Sequence, residues 1–415
     1  MPLAIVVSLA LLLVAPAFLL DDGDGRPGTP APPLRAAPVG EIAARVEAER
    51  GLRFARAPAI HPVSPAEARA EAAESLDEDL PPARREAEAQ VLAMLGLLPP
   101  GFDLGEAALG AFDSAVAGYY DPRSGALRVV EGAQTGNRVL YETTVAHELT
   151  HALEDEVFDF DLDTMAAGGD RALAYSALVE GSATAVMTRY MTQRFGAEET
   201  LGATLGSALA GTGTEGMPPF LTAQLIFPYT AGQQFVARLL EVGGGGWDVV
   251  DSALRFRPPA STEQILHPRK YLEVEQPERV AVPRLPGWER RSRSTLGEWS
   301  TARVLARAGG TTADDAAAGW GGDALALYSR PGGEWALGVR WRWDSGREAG
   351  AFLDGLRAWA DEALPGGKRS EVTGGEAWTG RDGIAVVRAS GDEVALGIAP
   401  DLDTARALAL PGPGR

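Results

Sequence analysis

Residues 143–158 read TTVAHELTHALEDEVF, in which His147 and His151 are separated by four positions. On a helix, this spacing places both imidazoles on one face, about one turn apart. Two neutral histidines so arranged are typical Zn²⁺ ligands, and the intervening Glu148 is placed to deprotonate a metal-bound water. The surrounding apolar residues predict a buried helix. The alternative is a pair of hydrogen-bonded helix histidines, but with only 4 histidines in 415 residues a chance match is improbable.

A catalytic zinc site needs a third protein ligand and one open position. Residues 170–195 predict a second helix with Asp170 as its N-cap, and Glu180 lies in an apolar part of it, 29 residues after His151. A loop and a returning helix span that separation, so Glu180 is the candidate third ligand rather than a solvated surface carboxylate. Gly181 costs about 1 kcal/mol relative to alanine inside a helix, which a close approach to the histidine helix would justify.

Several motifs around these residues resemble known proteins. HELTHA followed by a downstream glutamate on a second helix resembles the thermolysin-type gluzincin metallopeptidases. HELTHALEDEVFDFDLD, ALVEG, FPYTAG and PPASTEQILHP resemble a family of bacterial extracytoplasmic zincin-like proteins, over residues 40–345 and most specifically between Tyr119 and Tyr271. The resemblance implies that both histidines and Glu180 bind zinc, and that Glu148 is the general base.

One position departs from the thermolysin-type pattern. Those enzymes carry an aspartate four residues after the ligand glutamate, which supports a zinc-bound histidine, whereas this chain has Thr184 there. Support from another residue is therefore expected. Asp155, at the next helical turn after His151 on the same face, is one candidate, and a surface ion pair explains Asp155 equally well.

Hydrolysis at a metal also needs a hydrogen-bond donor for the developing oxyanion, commonly a tyrosine or histidine from another segment. Tyr229, in FPYTAG, and His267, in PPASTEQILHP, join Glu148 as candidate catalytic residues. For each of the two, a packing or capping role is the favoured alternative. The segment that carries Tyr229 predicts two helices broken at Pro228.

The segment AVAGYYDPRSGALRVVEGA predicts a β-hairpin ahead of the metal helix, with its turn at residues 121–125. In zincins the strand before this helix is commonly the sheet edge that pairs with extended substrate. By that resemblance Ala126–Val130 would be the pairing edge, and an ordinary hairpin strand is the alternative.

The N-terminal residues predict export. Residues 2–20, PLAIVVSLALLLVAPAFLL, form an apolar run of membrane-spanning length, and Ala15-Pro16-Ala17 resembles a signal-peptide cleavage site, although a basic n-region is missing. Residues 1–20 are therefore interpreted as a signal peptide or N-terminal membrane anchor, which places the remaining chain outside the cytoplasm. Residues 21–39 are rich in glycine, proline and aspartate and predict a disordered linker.

Composition limits the classes of partner. The net charge of −19 argues against nucleic acid and against docking on anionic lipid, because both require a basic surface. With 0 cysteines, disulfides, thiol catalysis and thiolate metal sites are excluded. The expected partner is a peptide or protein substrate, and the expected cofactor is Zn²⁺.

From about residue 285 the pattern changes to β-type runs, DALALYS, EWALGVRWRW, GIAVVRAS and DEVALGIAP, around a helix at residues 347–363 and a last helix at 401–408. These runs predict a small α+β domain with an antiparallel sheet. Its clustered tryptophans are interpreted as core rather than as a ligand platform: Trp335, Trp341 and Trp343.

The sequence thus predicts an α+β protein with two structured domains. Residues 40–284 would form a mainly helical zincin-type metallopeptidase domain with a small edge sheet, and residues 285–415 the C-terminal α+β domain. The expected function is zinc-dependent hydrolysis of peptide bonds, with Glu148 activating the water. Two alternatives are a surface-anchored zincin-fold binding protein without turnover and a zinc hydrolase of a non-peptide amide.

Overall fold

A computed structural model describes residues 37–56, 60–115, 118–131, 138–196, 216–308, 313–364, 367–380 and 383–409. The predicted export segment at residues 1–20, and the predicted linker as far as residue 36, lie outside the described residues. Within the described ranges, no helix combines the length and apolar character needed to cross a membrane.

The protein is α+β, with one sheet of three strands and an antiparallel sheet of seven. We call residues 37–272 the helical region. It begins with α1 Val39–Arg50, β1 Ile60–Val63, α2 Pro65–Asp79, α3 Pro82–Met94, α4 Leu104–Ala115, β2 Gly118–Asp121 and β3 Ala126–Val130. It continues with α5 Arg138–Phe158, α6 Leu162–Ala167, α7 Gly169–Arg194, α8 Pro219–Val242, α9 Asp248–Arg255, α10 Thr262–Leu266 and α11 Pro268–Leu272.

The small sheet contains the predicted hairpin but has a different edge from the one expected. β2 and β3 pair antiparallel, with Asp121 opposite Ala126 across the turn, which confirms the hairpin. β1 pairs in parallel with the other side of β3, so the strand order is β1-β3-β2. The prediction that Ala126–Val130 is the pairing edge is therefore wrong. β3 is central because the distant segment Ile60–Val63 covers its second side, and β2 is the edge strand next to it.

α7 and α8 pack in direct backbone contact because each contributes a glycine to the contact. A Cβ atom added to Gly181 would lie 2.3 Å from the carbonyl carbon of Gly232, and one added to Gly232 would lie 2.0 Å from the carbonyl oxygen of Ala177. The close approach expected at Gly181 is thus made to α8. The expectation that it faces the histidine helix is wrong.

α8 runs unbroken through Pro228, so the predicted break into two helices is also wrong. Proline has no N–H to donate and usually interrupts a helix interior. Here Pro228 is buried, and so are Phe227 and Phe235 on either side of it. Burial of this apolar face against α7 offsets the lost hydrogen bond, and α8 stays continuous.

We call residues 283–409 the C-terminal region. It contains β4 Glu289–Ser294, α12 Gly297–Ala306, α13 Ala313–Ala317, β5 Trp320–Arg330, β6 Glu334–Trp343, α14 Gly346–Ala363, β7 Lys368–Val372, β8 Gly375–Thr379, β9 Ile384–Ser390, β10 Glu393–Ala399 and α15 Leu402–Ala409. Its sheet has the order β4-β5-β6-β10-β9-β8-β7. Trp341 and Trp343 are fully buried in the core, and Trp335 packs against the same core. The predicted antiparallel sheet and tryptophan core are both confirmed.

A buried hydrogen-bond network joins the helical and C-terminal regions at the start of α7. Asp170 accepts hydrogen bonds from the backbone N–H of Thr262 at 3.1 Å and from its hydroxyl at 2.6 Å. The hydroxyl oxygen of Thr262 accepts in turn from the N–H of Trp299 in α12, at 3.2 Å. Asp170 is therefore not the predicted N-cap: Gly168 holds that position, and Asp170 is drawn into this junction instead.

A second buried carboxylate, Asp323 in β5, fixes the beginning of α12. It accepts hydrogen bonds from the backbone N–H groups of Leu296 and Gly297, both at 2.8 Å. Burial raises the pKa of Asp323 to about 6. Next to it, the Trp299 ring packs on Phe227 of α8 with ring centroids 5.1 Å apart, so α12 shares the core of the helical region.

We predict that Gly232→Ala destabilises the protein by about 3 kcal/mol or more, because a methyl group at this position forces the α7 backbone away. Urea-induced unfolding measures the effect. The matched control is Gly350→Ala in α14, where an added Cβ atom meets nothing within 4 Å. We expect the control to be neutral or stabilised by up to about 1 kcal/mol. Equal stability of the two variants would contradict the close helix contact.

Candidate metal centre

α5 carries His147 and His151 on the same face, as their spacing predicts. Their side chains are 1% and 0% exposed, and their Nε2 atoms lie 3.0 Å apart. Val157 is only partly buried, but five of the six apolar residues predicted to be buried lie in the core: Val145, Ala146, Leu149, Ala152 and Leu153. Burial of these residues fixes the rotation of α5, so that both imidazoles point at its neighbour α7.

α7 contributes Glu180 to the same point. Its Oε2 atom lies 3.0 Å from Nε2 of His147 and 3.4 Å from Nε2 of His151. Burial by itself raises the pKa of the Glu180 carboxyl, but His151 and His147 outweigh it and lower the pKa to about 2. The group is therefore a carboxylate at neutral pH, which is the form that binds a cation.

The three atoms fit a metal ion. Their separations of 3.0, 3.0 and 3.4 Å are close to the ligand–ligand distance of about 3.3 Å in a tetrahedral zinc site with bonds of 2.0–2.1 Å. The two imidazole nitrogens and the carboxylate oxygen also bring several lone pairs together, and there are too few N–H donors among them to satisfy these lone pairs by hydrogen bonds. A cation bound among them would satisfy all three, and two nitrogen ligands with one oxygen ligand suit zinc.

A second group of acidic side chains in the described residues has ligand-like spacing: Glu263, Glu275 and Asp344. The ammonium group of Lys270 lies among them, 2.6 Å from Glu263, 2.8 Å from Glu275 and 2.6 Å from Asp344. Because a lysine already supplies the cation, this group is an ion-pair network and not a metal site.

Glu148 lies beside the three-atom cluster and is held by the small sheet. Its side chain is buried, and its Oε2 accepts a hydrogen bond from the backbone N–H of Tyr120 at 2.9 Å. This N–H therefore points away from β3 and out of the unpaired edge of β2. The edge strand of the sheet thus faces α5 at the position of the candidate general base.

Tyr229 is brought to the cluster, whereas sequence reasoning had left its role open. Its ring centroid lies 6.1 Å from that of His147, with the two ring planes inclined by 31°. On the other side, the Phe160 ring lies 6.4 Å from that of His151. The continuous course of α8 through Pro228 is what carries Tyr229 to this place.

His267 lies in a different environment. Its Nε2 is 2.8 Å from Oε1 of Glu298 in α12, and its side chain is 41% exposed. The Glu298 carboxylate raises the pKa of His267. Among the described residues it makes no contact with the ligand cluster, so the structure does not bring these two predicted features together.

In the described part of the chain, Asp155 takes neither of the two roles considered for it, support of a histidine or a surface ion pair. Its Oδ2 accepts from the hydroxyl of Tyr120 at 2.7 Å and its Oδ1 from the N–H of Phe160 at 2.9 Å. The hydroxyl of Thr184 is buried, and neither it nor the Nδ1 atom of either histidine has a hydrogen-bond partner among the described residues. Ring packing by Phe160 and Tyr229 contacts the imidazoles instead.

Sequence reasoning missed a buried ionic clamp behind the cluster. Glu154, one turn after His151 in α5, accepts hydrogen bonds from the guanidinium of Arg50 and, at 2.5 Å, from the hydroxyl of Ser182 in α7. Arg50 also contacts Asp251 in α9 at 2.5 Å. The clamp ties α1, α5, α7 and α9 together. Its only sequence signal is the seven-residue spacing of Glu154 from His147, because Arg50 is remote in the chain.

Comparison with known proteins gives a match in the C-terminal region. A family model described as a domain of unknown function, DUF8575, matches residues 283–409. These residues contain the seven-stranded sheet with its helices and none of the ligand cluster. No curated protein and no solved structure matches the chain.

We predict that Glu154→Ala destabilises the protein by about 3–5 kcal/mol, because it removes one of the two carboxylate partners of the fully buried Arg50 guanidinium and also the acceptor of the Ser182 hydroxyl. The measurement is the free energy of unfolding in urea. Glu156→Ala, an exposed position on the same helix, is the matched control and should cost less than about 1 kcal/mol. A clamp variant as stable as the control would show that the ion pair is not structural.

We also predict a pH-dependent stability difference for His267→Gln. The folded-state pKa of His267 is raised by Glu298, so its contribution is fully present below the unfolded value and is lost as the pH rises through the folded value. For this partly exposed pair, wild type should exceed the variant by up to about 1 kcal/mol at pH 5.5 and by almost nothing at about pH 9. Urea unfolding across that range measures it. A difference independent of pH would contradict the pairing.

Proposed function

We propose that this protein is a zinc-dependent metallopeptidase of the gluzincin type, with a zincin-like helical region. The observation that carries the proposal is the convergence of His147, His151 and Glu180 on one point, with the carboxylate of Glu148 held beside it. Such a set on a buried helix pair is what metal-assisted hydrolysis requires: three ligands, and a base that is not one of them.

The chain's own residues have separate parts in the reaction. His147, His151 and Glu180 would hold Zn²⁺, which when bound supplies Lewis-acid polarisation of a carbonyl and a more acidic water. Glu148 takes one proton from the attacking water as its oxygen bonds to the carbonyl carbon. Glu148 then passes that proton to the leaving nitrogen as the C–N bond breaks, which completes the proton balance.

Tyr229 is the better of the two candidates for the oxyanion donor. Its ring lies next to that of His147, whereas His267 is paired with Glu298 at the junction with the C-terminal region. In this role the Tyr229 hydroxyl would donate a hydrogen bond to the carbonyl oxygen as negative charge develops on it. His267 is accordingly assigned a structural part.

Among the described residues no strand pairs with the outer edge of β2, and this edge supports a peptide as the substrate. An extended peptide adds to such an edge through main-chain hydrogen bonds, which recognise the backbone whatever its side chains. Because the Tyr120 N–H on this edge binds Glu148, a peptide lying along β2 would pass beside the base. The predicted export segment at residues 1–20 supports a location outside the cytoplasm, either anchored or secreted.

The test uses the full chain with Glu148→Gln and Glu180→Ala. Glu148→Gln keeps an acceptor for the Tyr120 N–H, so we expect it to retain zinc and lose about 100-fold or more of its hydrolytic rate. Glu180→Ala should lose most of its bound zinc together with activity. Zinc is measured by elemental mass spectrometry, and cleavage by mass spectrometry of a diverse peptide library, with and without chelator.

Glu156→Gln on the same helix is the control and should behave as wild type. Full activity in Glu148→Gln would refute the assigned base. Zinc bound by wild type without any cleavage would favour the zincin-fold binding protein. Turnover of non-peptide amides alone would favour the zinc hydrolase of a non-peptide amide.

A further inference from the structure

A cleft of about 310 Å³ lies against the edge strand β2. One wall is β2 with Tyr119 and Tyr120, another is α2, and a third is formed by Leu162 and Met165 of α6. Both tyrosines line it although they point to opposite faces of the strand, so the cleft opens along the unpaired edge itself. We call it the acidic cleft.

The cleft contains more negative than positive charge. Its lining carries five carboxylates, Glu71, Glu74, Glu78, Asp79 and Asp121, and two guanidinium groups. The guanidinium groups are already neutralised: Arg128 bonds to Glu71 at 2.8 Å, and Arg123 pairs with Asp79 and lies 3.6 Å from Glu78. With five carboxylates against two guanidinium groups, the lining keeps excess negative charge for a ligand, most of all at Glu74, which lies with Glu78 on the exposed side of α2.

The spacing of these carboxylates does not suit a metal ion. No three of them bring oxygen atoms within 4.8 Å of one another in the described part of the chain, as the ligand cluster does. Negative charge spread over an elongated cleft suits an elongated cation instead. The apolar wall from Phe112, Leu162 and Met165 would pack against a methylene stem, as lysine and arginine side chains possess.

We propose that the acidic cleft binds the lysine or arginine side chain of an extended peptide that lies along β2, and so selects substrates with a basic residue near the cleaved bond. The proposal rests on the proposed peptidase function. Tyr120 links the two sites, because its side chain lines the cleft while its backbone N–H holds Glu148.

The experiment measures binding separately from cleavage. Zinc-loaded full-length Glu148→Gln is titrated, by fluorescence anisotropy, with peptides identical except for one residue: lysine, its uncharged analogue norleucine, or glutamate. We expect lysine to bind at least about tenfold more tightly than norleucine, and glutamate more weakly than either. The lysine preference should shrink as NaCl is raised from about 0.05 to 0.5 M.

The variants Glu74→Gln and Glu78→Gln, added to the same background, should reduce the lysine-to-norleucine ratio severalfold. Both positions are exposed, so folding is expected to be unaffected. Asp403→Asn, at a side chain 95% exposed in the C-terminal region, changes net charge equally and should leave the ratio unchanged. A loss of preference in the cleft variants but not in the control supports the proposal.

Equal binding of the lysine and norleucine peptides overturns the proposal, as does a preference that survives both cleft substitutions. Wild-type cleavage of the same peptides, followed in parallel, distinguishes failure of the cleft proposal from failure of the proposed peptidase function. Cleavage without lysine preference leaves the peptidase function standing and removes only the cleft. Failure of every peptide to bind or be cleaved overturns both.

Discussion

Two imidazole nitrogens and one carboxylate oxygen meet in the buried contact between α5 and α7, and the packing of this helix pair holds them together. Buried polar atoms are costly unless satisfied by partners, so such a cluster persists only where the surrounding packing is firm. The clamp of Arg50, Glu154 and Ser182 ties the same two helices at a second point. The contact of Gly181 with Gly232 then allows α8 to approach closely, which places Tyr229 beside the cluster.

The C-terminal region takes part in the same scaffold. Asp170, at the start of the helix that carries Glu180, is satisfied by Thr262, which also accepts from Trp299 of the C-terminal region. Asp323 in turn holds the first residues of α12. Buried carboxylates need donors, and here the donors come from segments far apart in the chain. The seven-stranded sheet is therefore coupled to the ligand helix through specific hydrogen bonds as well as through apolar packing.

The errors of sequence reasoning share one cause. Spacing and periodicity are local features. They correctly predicted that both histidines lie on one helix face, that a hairpin precedes them and that the C-terminal sheet is antiparallel. The edge strand was misassigned because β1, from a distant segment, covers β3. Gly181 was assigned to the wrong neighbour and Pro228 to a helix break, and neither role considered for Asp155 was right, because the deciding partner in each case lies on another element. No pattern within one segment records such a partner.

The sequence by itself determined which histidine atoms could bind one metal ion, because a four-residue spacing on a helix puts His147 and His151 on one face. It also placed Glu148 directly after the first of them in the chain. The tertiary structure decided how these residues are surrounded. Tertiary packing places β2, and not β3, next to Glu148. It brings Tyr229, and not His267, to the cluster, and it forms the acidic cleft along the outer edge of β2. The physical reason is that helix geometry is set by neighbours in the chain, whereas burial, edges and clefts are set by packing between segments whose order in the sequence does not fix their distance in space.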